Sequence, residues 1–427
     1  MKRILPFLLA LCMLCAAGPA MAEDDPVLVT VNGEEIRESN LWLQAWRDTL
    51  MEYVTDMSEE NLRATDQLAL DYTVRYIAAR QNLEKMGRGY TKEDLEAENE
   101  GAWSDTVEYF MFMEFGATEE STEEELAKAR EEAAAYIRDE LGYTDEYFMA
   151  ITELTLTEDN ALDLAGEGIG VTDAEVEAYY REQAEADRDD IETTAKEYLE
   201  ESGEPWSEEE FNCAMAEVYE VYTWMYGYDL LYIPDGYRSV LCIVPEVDET
   251  LMGTLSELYL EQDGEDPELA EKITAAEKAV LGSAQGVLDE IYARLADGAS
   301  FPDLVKEYSR DADLQDEETA ASGIPVHAAS IHLDRKYVDA AMALRNAGDV
   351  SEPVVGDDGV YVILYLGDIP GGPVEYTDEL RDRLRADLVY ERTGQEFERL
   401  MDLWASEAEI VWTEAGESWK LPEEADG

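Results

Sequence analysis

The sequence predicts an α+β protein in which long helices outweigh a few short strands. Along most of the chain apolar residues recur every three or four positions, as amphipathic helices require. Two short runs, 27–36 and 360–366, are instead rich in β-branched residues and bounded by turn residues, which is typical of strands. The predicted fold is therefore a mostly helical body with a small α/β domain, in which an antiparallel or mixed sheet is flanked by helices.

The first 22 residues have the pattern of a cleavable secretory signal peptide. Lys2 and Arg3 precede a short apolar run that ends at Ala17, and a small-x-small site ends at Ala22. We expect cleavage near Ala22 and a location outside the cytoplasm: secreted, at the cell surface or in a periplasm. No later segment approaches a run of about 18 uncharged apolar residues, so we expect no transmembrane span.

Two of the four cysteines lie in this leader. Cys12 and Cys15 leave lipid attachment open, although a leucine precedes each of them where a small residue is typical. The other two, Cys213 and Cys242, can form one disulfide or remain free thiols, and the sequence is compatible with both.

The chain is extremely acidic, with 102 Asp and Glu against 31 Lys and Arg and a formal net charge of −71. Repulsion of this size excludes nucleic acid and anionic membrane surfaces as partners. Two interpretations of the charge remain. It keeps the protein soluble, or it attracts basic segments of unfolded polypeptides.

Motifs for common cofactor chemistry are absent from the sequence. It has no Gly-x4-Gly-Lys-Ser/Thr phosphate loop, no Gly-x-Ser-x-Gly nucleophile turn, no His-Glu-x-x-His zinc helix and no complete calcium loop. The only histidines are His327 and His332, too few for a histidine-rich metal site. We expect both to be solvated loop residues, although either can turn towards a ligand. We expect no cofactor and no metal, and a paired-carboxylate hydrolase is a residual alternative.

The mature chain begins with a strand and continues as helices. Residues 27–36 alternate in polarity and turn at Asn32-Gly33. Ser39 or Asn40 can cap the helix that follows. Its apolar residues recur every three or four positions: Trp42, Trp46, Leu50 and Tyr53. This order, placed after a signal peptide, resembles the N-terminal chaperone region of SurA- and PrsA-type foldases.

Further helices with acidic faces are predicted as far as residue 235. Two of them begin with capping boxes, at Thr172 with Glu175 and at Ser207 with Glu210. An aromatic cluster closes the region: Tyr219, Tyr222, Trp224, Tyr226, Tyr228 and Tyr232. The cluster has two interpretations, helix packing at a domain seam or a platform for exposed apolar segments of a client chain.

Residues 236–368 contain several blocks in a fixed order. A strand reaches Cys242, a helix leads into a Gly-x-x-Phe turn at Phe301, a Leu-x-x-x-Tyr-Ser-x-Asp run follows, and a short helix precedes the strand 360–366. This order resembles the parvulin type of peptidyl-prolyl isomerase. The stretch 246–281 is interpreted as an acidic insertion with helical segments.

The resemblance implies a proline-binding pocket. Leu333, Tyr337 and Met342 would line its apolar side, and ordinary core packing is the alternative for each of them. Asp311 stands where the family has aspartate or cysteine, and a helix-end or loop carboxylate is its alternative. The substrate would be an unfolded or proline-containing polypeptide. Since prolyl isomerisation breaks no bond, neither a cofactor nor a covalent intermediate is needed.

Three positions depart from the family pattern. Cys242 and Tyr361 stand where the two family histidines are expected, and Gly356 replaces the usual threonine. Cys242, Tyr361 and Asp311 are the candidate catalytic positions. Because most of the polar set is replaced, we expect isomerase activity to be weak or absent.

The remaining chain completes the predicted organisation. The Pro-Gly-Gly-Pro sequence at 370–373 reads as a hinge. A long helix and a closing strand follow, and by resemblance they pack back on the N-terminal region. The predicted segments are a signal peptide (1–22), a helical chaperone-like region (26–235), an inserted parvulin-like domain (236–368) and the C-terminal helix and strand (374–415).

The sequence-based hypothesis is a secreted foldase in which a SurA-like chaperone body carries one inserted parvulin-like domain. It would assist the folding of exported proteins and catalyse prolyl isomerisation weakly. The alternative is a non-catalytic chaperone or peptide-binding protein that retains the parvulin fold as a scaffold. The sequence defines neither the clients nor the oligomeric state.

Overall fold

The computed structural model describes residues 25–118, 120–201, 203, 205–261, 266–311 and 313–420. The predicted signal peptide, with Cys12 and Cys15, lies outside the described residues. The chain forms two compact units, one of Met1–Val171 with Arg385–Gly427 and the other of Thr172–Leu384. The second unit therefore includes more than residues 236–368, and the limits predicted for the parvulin-like domain itself stay a prediction.

Helices dominate the described part of the chain. The α-helices are α1 (Leu41–Met51), α2 (Glu59–Lys85), α3 (Lys92–Met113), α4 (Glu123–Asp139), α5 (Asp145–Gly166), α6 (Asp173–Glu201), α7 (Glu208–Glu220), α8 (Glu249–Leu260), α9 (Pro267–Ala296), α10 (Phe301–Tyr308), α11 (Glu317–Ser322), α12 (Arg335–Ala343), α13 (Asp378–Glu407) and α14 (Glu414–Glu417). The strands are β1 (Val27–Val31), β2 (Glu34–Arg37), β3 (Tyr232–Ile233), β4 (Arg238–Ile243), β5 (Ile324–Val326), β6 (Val354–Val355), β7 (Val360–Asp368), β8 (Gly372–Pro373) and β9 (Ile410–Trp412). The fold is α+β, as predicted, and every named strand pair is antiparallel.

The first unit is organised around the predicted hairpin. Asn32 (φ 48°) and Gly33 (φ 87°) both adopt the left-handed conformation that a tight two-residue turn between β1 and β2 requires. Strand β9 pairs with the other edge of β1, giving the order β2-β1-β9. The side chain of Asn40 caps α1, one of the two caps predicted. Tyr53 lies beyond the end of α1 and is 67% exposed, so its predicted place on the apolar stripe is wrong.

A single apolar core joins the sheet of this unit to its helices. Leu28 of β1, Leu43 of α1 and Leu70 of α2 are fully buried in it. Met401 and Trp404 of α13 belong to the same core. Strand β9 is thus held against β1 by strand pairing, and the end of α13 is held in the same unit by hydrophobic burial.

The second unit contains a four-stranded sheet of order β5-β4-β7-β6 with helices on both faces. Because side chains alternate along a strand, β4 sends Leu241 and Ile243 to one face and Cys242 to the other. Helices α8, α9 and α10 pack on the first face. Helix α12 packs on the second face, where Tyr361 of β7 also lies.

Residues 246–281 contain the predicted helical segments, α8 and the first part of α9. Met252 and Leu255 of α8 and Ile273 of α9 enter the core beneath the sheet, and the interpretation of the stretch as an insertion stays a prediction. One expectation is corrected: residues 370–373 do not form a hinge, because β8 pairs with β3.

The turn at Gly33 gives a stability prediction. Gly33→Ala should lower the free energy of unfolding by about 1 kcal/mol, because an L-residue is strained in the left-handed region. Gly101→Ala, inside α3 with open space around the added Cβ, should raise it by about 0.5–1 kcal/mol. Urea unfolding of both variants measures the two effects, and a change of the same sign at both positions would contradict this account.

Candidate functional site

Five of the six predicted site residues meet in one apolar cluster between α12 and the sheet. Cys242, Tyr337 and Tyr361 are buried, with 2%, 5% and 7% of their surface exposed. Leu333 and Met342 pack against them and remain partly exposed. The structure thus gathers these side chains, while their roles in binding or catalysis stay predictions.

Asp311, the sixth residue, is exposed and follows α10. It is not part of the apolar cluster, although its negative charge adds to the effect of burial in raising the pKa of the Cys242 thiol. The backbone before it is fixed by Val244, the residue after β4, because Arg310 N donates to the Val244 carbonyl over 2.9 Å. The role of Asp311 in the candidate site stays a prediction.

The floor of the cluster is made by two tyrosine rings. Tyr337 of α12 and Tyr361 of β7 meet edge to face, with ring centroids 5.3 Å apart and an interplanar angle of 79°. Among the described residues the buried hydroxyl of Tyr337 has no hydrogen-bond partner. Such a group costs free energy to bury, so its presence marks a position where function and stability can conflict.

Two of the three candidate catalytic groups, the Cys242 thiol and the Tyr361 phenol, stay protonated at neutral pH. Burial raises the pKa of the Cys242 thiol far above its ordinary value, and the charge of Asp311 adds to this effect. Burial also raises the pKa of the Tyr361 phenol, and the charge of Asp334 acts in the same direction. Neither group can serve as a general base, so the site offers neutral hydroxyl and thiol groups in an apolar setting.

The absence of a side chain at position 356 has a steric explanation. A Cβ added to Gly356 would collide with Oδ2 of Asp334 and lie 2.5 Å from Cε2 of Tyr361. Asp334 is itself fixed, because it caps α12 and accepts a hydrogen bond from Asp357 N over 2.5 Å. The tyrosine at 361 and the glycine at 356 are therefore a matched pair, in which the larger ring occupies the space of the absent side chain.

A buried glutamate, which the sequence did not single out, organises the loop before α12. Glu220 is 2% exposed at the end of α7. It accepts hydrogen bonds from Ser330 Oγ (2.6 Å), Ile331 N (2.8 Å) and Tyr237 Oη (3.2 Å). Its other partner is His332 Nδ1, at 2.9 Å. The loop that leads to the pocket helix is thus tied to a helix about 110 residues earlier in the chain.

Both histidines belong to this region, which corrects part of our expectation. His327 is buried (5% exposed), so it is not a solvated loop residue. Its ring lies tilted against the ring of Tyr237 with centroids 5.0 Å apart, and its Nδ1 accepts a hydrogen bond from Ala329 N. His332 is partly buried between Glu220 and the ring of Trp224, which stacks on it with centroids 5.4 Å apart.

The predicted aromatic cluster divides into a packed part and an exposed part. Tyr219, Tyr222 and Tyr232 pack against the core formed by α6 and α7. The exposed part, called the aromatic surface, begins on the π-helical turn after α7 and continues just beyond it: Trp224 (63% exposed), Met225 (60%), Tyr226 (61%) and Tyr228 (56%). Helix packing therefore accounts for the packed members, and a platform for client segments stays a prediction for the exposed ones.

Crowding at Gly356 can be tested directly. Gly356→Ala should destabilise the protein by about 1–3 kcal/mol, since the added methyl group overpacks the space between Asp334 and Tyr361. Gly367→Ala, in β7 of the same sheet with open space around its Cβ, is the control. Equal shifts of the thermal midpoint in the two variants would contradict the steric explanation.

The pKa of Glu220 gives a pH-dependent prediction. Burial opposes its ionisation, but hydrogen bonds from His332, Ser330 and the Ile331 backbone outweigh burial and lower the pKa below the ordinary 4.5. Since the pKa of Glu220 is lower in the folded than in the unfolded protein, the ionised carboxylate stabilises the fold. This stabilisation is complete above about pH 4.5 and is lost as the pH falls through the pKa of Glu220 in the folded protein.

The measurement is the difference in free energy of unfolding between wild type and Glu220→Gln. We expect the difference to be largest above pH 4.5 and to shrink on acidification. Glu220→Ala should cost about 3 kcal/mol near neutral pH, because it leaves the partners of the carboxylate unpaired. A difference that does not change with pH would contradict the buried carboxylate.

Comparison with known proteins supports the resemblance over a limited stretch. No family model matches the chain. The Foldase protein PrsA 2 of Listeria innocua is 36% identical over 84 residues, which cover 20% of this chain and 28% of the relative. PrsA 2 of Listeria monocytogenes is 34% identical over 84 residues, covering 20% of this chain and 27% of the relative. The chain is similar to PrsA foldases. The matched stretch covers less than a third of the length of either relative. The activity of those PrsA proteins is therefore only proposed for this chain.

A solved structure from work on two SurA-like chaperones of Campylobacter jejuni aligns over 92% of this chain and 100% of that chain, with 8% identity and a TM-score of 0.30. This score is too low to carry an argument about the fold. The similarity to PrsA therefore rests on the matched stretch of sequence. The α+β architecture is established by the strand pairing and the hydrophobic cores of this protein.

The structure also contains site features that sequence reasoning missed. Asp334 carried a usable signal, because an aspartate directly before a helix is a typical N-cap. Glu220 carried no usable signal, because nothing in the sequence distinguishes it from the other acidic residues among the 102.

Proposed function

We propose that this protein is a PrsA-like foldase that binds unfolded exported polypeptides and assists their folding outside the cytoplasm. The observation that carries the proposal is the aromatic surface. Four large apolar side chains, each more than half exposed, follow one another on a short turn. Exposed apolar patches of this kind mark interaction sites, because water contact with them is unfavourable. The location is supported by the signal-like leader and by the similarity to PrsA.

The fixed loop beneath the aromatic surface supports a binding role. Trp224 stacks on His332, and His332 pairs with the buried Glu220. Since the indole is held at its base, the surface loses less conformational entropy on binding than a freely moving turn would. Aromatic rings also contact proline rings and apolar side chains without requiring a particular sequence, which suits a protein with many clients.

Prolyl isomerisation by the parvulin-like part is proposed to be weak. The barrier of about 18–20 kcal/mol arises from the partial double bond of the amide. A catalyst lowers it by binding the twisted amide more tightly than the planar one, through an apolar grip and well-placed hydrogen bonds. Leu333 and Met342 supply apolar surface that is still accessible. The unpaired hydroxyl of Tyr337 is the one donor in this cluster that is free of partners among the described residues.

The second candidate function is a non-catalytic chaperone that keeps the parvulin-like unit as a scaffold. The burial of Cys242, Tyr337 and Tyr361 favours it, because side chains that are 2%, 5% and 7% exposed have little surface left to contact a substrate. Tyr337→Phe separates the two candidates. The change removes an unpaired hydroxyl, so stability should be equal or higher, and any isomerase activity that uses this hydroxyl should fall.

The chaperone role is tested by suppression of the aggregation of an unfolded client by the full-length protein. The triple variant Met225→Ser, Tyr226→Ser and Tyr228→Ser should suppress aggregation several-fold less well at an unchanged thermal midpoint, because these side chains are exposed. Tyr53→Ser, Tyr198→Ser and Tyr390→Ser together remove equally exposed aromatic rings elsewhere and form the control.

Each outcome of these assays bears on one candidate. No suppression by the wild type would remove the foldase proposal. Equal losses in the two triple variants would show that the aromatic surface has no special role. A proline-peptide isomerisation rate equal to that of buffer would leave the scaffold function, and a rate above buffer that falls in Tyr337→Phe would support weak catalysis.

A further inference from the structure

A cleft of about 690 Å³ lies in the first unit, apart from every residue discussed as a candidate site. Its size is within the range of protein pockets that take small ligands or side chains. Trp42, Ile77 and Ala150 form its buried floor, with 6%, 2% and 5% of their surface exposed. Leu41 and Met149 are partly exposed in its walls. The interior is therefore suited to an apolar side chain.

The lining of the cleft is negatively charged. Glu34, Asp145, Glu146 and Glu153 face one cation, Arg80. Arg80 does not offer a free positive charge, because it is paired with Glu34 (2.6 Å) and Glu84 (3.0 Å) and its guanidinium lies over the ring of Trp42. An anionic ligand is thus excluded from this cleft on electrostatic grounds.

The floor is held in place by polar contacts. Trp42 Nε1 donates to Glu153 Oε2 over 3.2 Å, and the same indole is covered by Arg80. Glu146, in contrast, has no ion-pair partner among the described residues and stands exposed in the first turn of α5. The cleft therefore combines a rigid apolar floor with an unpaired negative charge at its edge.

We propose that this cleft binds an apolar side chain of an unfolded client, with a lysine or arginine next to it in the client sequence. The apolar side chain enters between Leu41 and Met149 and covers the floor, and the neighbouring cation contacts Glu146. Charge complementarity selects this occupant, because a basic group is attracted to the rim while acidic and nucleic-acid ligands are repelled. The proposal rests on the proposed function and adds a second client contact with a defined preference.

The test is the binding of a labelled extended peptide with leucine next to lysine to the full-length protein, measured by fluorescence anisotropy. A matched peptide with glutamate in place of lysine is the ligand control. The lysine peptide should bind more tightly and should lose affinity with added salt, because its contact with the rim is electrostatic.

Matched variants of the protein locate the contact. Glu146→Gln should raise the Kd of the lysine peptide about fivefold, roughly the effect of one solvent-screened charge pair. Glu124→Gln removes the same charge at the second position of α4, in the same unit, and should leave the Kd unchanged.

The apolar contact is tested in the same way. Met149→Ala should weaken the binding of both leucine peptides about threefold or more, because it removes apolar contact. Met113→Ala is the control, because Met113 is 63% exposed and lies outside the cleft, and it should not weaken their binding.

Equal binding of the two peptides, or equal effects of Glu146→Gln and Glu124→Gln, would overturn the proposed cleft. Suppression of client aggregation is measured on the same samples. If wild type suppresses aggregation while the cleft variants leave peptide binding unchanged, the cleft proposal fails and the foldase proposal stands. If the cleft variants weaken peptide binding while wild type does not suppress aggregation, the foldase proposal fails and the binding cleft stands.

Discussion

The antiparallel pairing of β4 with β7 is the constraint on which the candidate site depends. The register sets Cys242 opposite Ile363, and alternation then sends Cys242 and Tyr361 to the face covered by α12. A slip of one residue along either strand would exchange this face with the one covered by α9 and α10. The apolar character of both faces holds the register in place. The candidate catalytic positions Cys242 and Tyr361 are therefore fixed by the same packing that stabilises the sheet.

The side chains around position 356 form a sterically consistent group. Asp334 and Tyr361 together occupy the space that a side chain at 356 would need. The candidate site contains two tyrosine rings with neutral thiol and phenol groups, which favours packing and contact over proton transfer. A histidine placed at position 361 would introduce a cavity beside Gly356 as well as a base, so a single histidine substitution is a poor probe of this site.

Local signals in the sequence predicted a large part of this structure, and the failures have a common cause. The Asn32-Gly33 turn, the cap at Asn40 and the strand at 360–366 depend on residues close to one another in the chain, and all three were predicted. The role of residues 370–373 depends on the pairing of β8 with β3, which is far away in sequence, so composition alone misplaced this segment.

The candidate site shows the same division. Its apolar members were predicted, because an apolar stripe on a short helix beside a buried strand is a local pattern. Glu220 could not be recognised, since its importance lies in its burial and in partners 110 to 112 positions away. In a chain with 102 acidic residues, charge carries little information about position, and only the fold distinguishes the few carboxylates that are structural.

The extreme acidity also determines how a client surface on this protein would behave. Ion pairs on an exposed surface contribute little to stability, so most of the acidic residues act through their long-range field. Such a field speeds the encounter with basic segments and leaves the strength of the complex to apolar contacts. Surfaces that combine exposed apolar groups with this field should therefore capture unfolded chains quickly and release them readily. Folding assistance requires this kinetic behaviour, because a client that stays bound cannot fold.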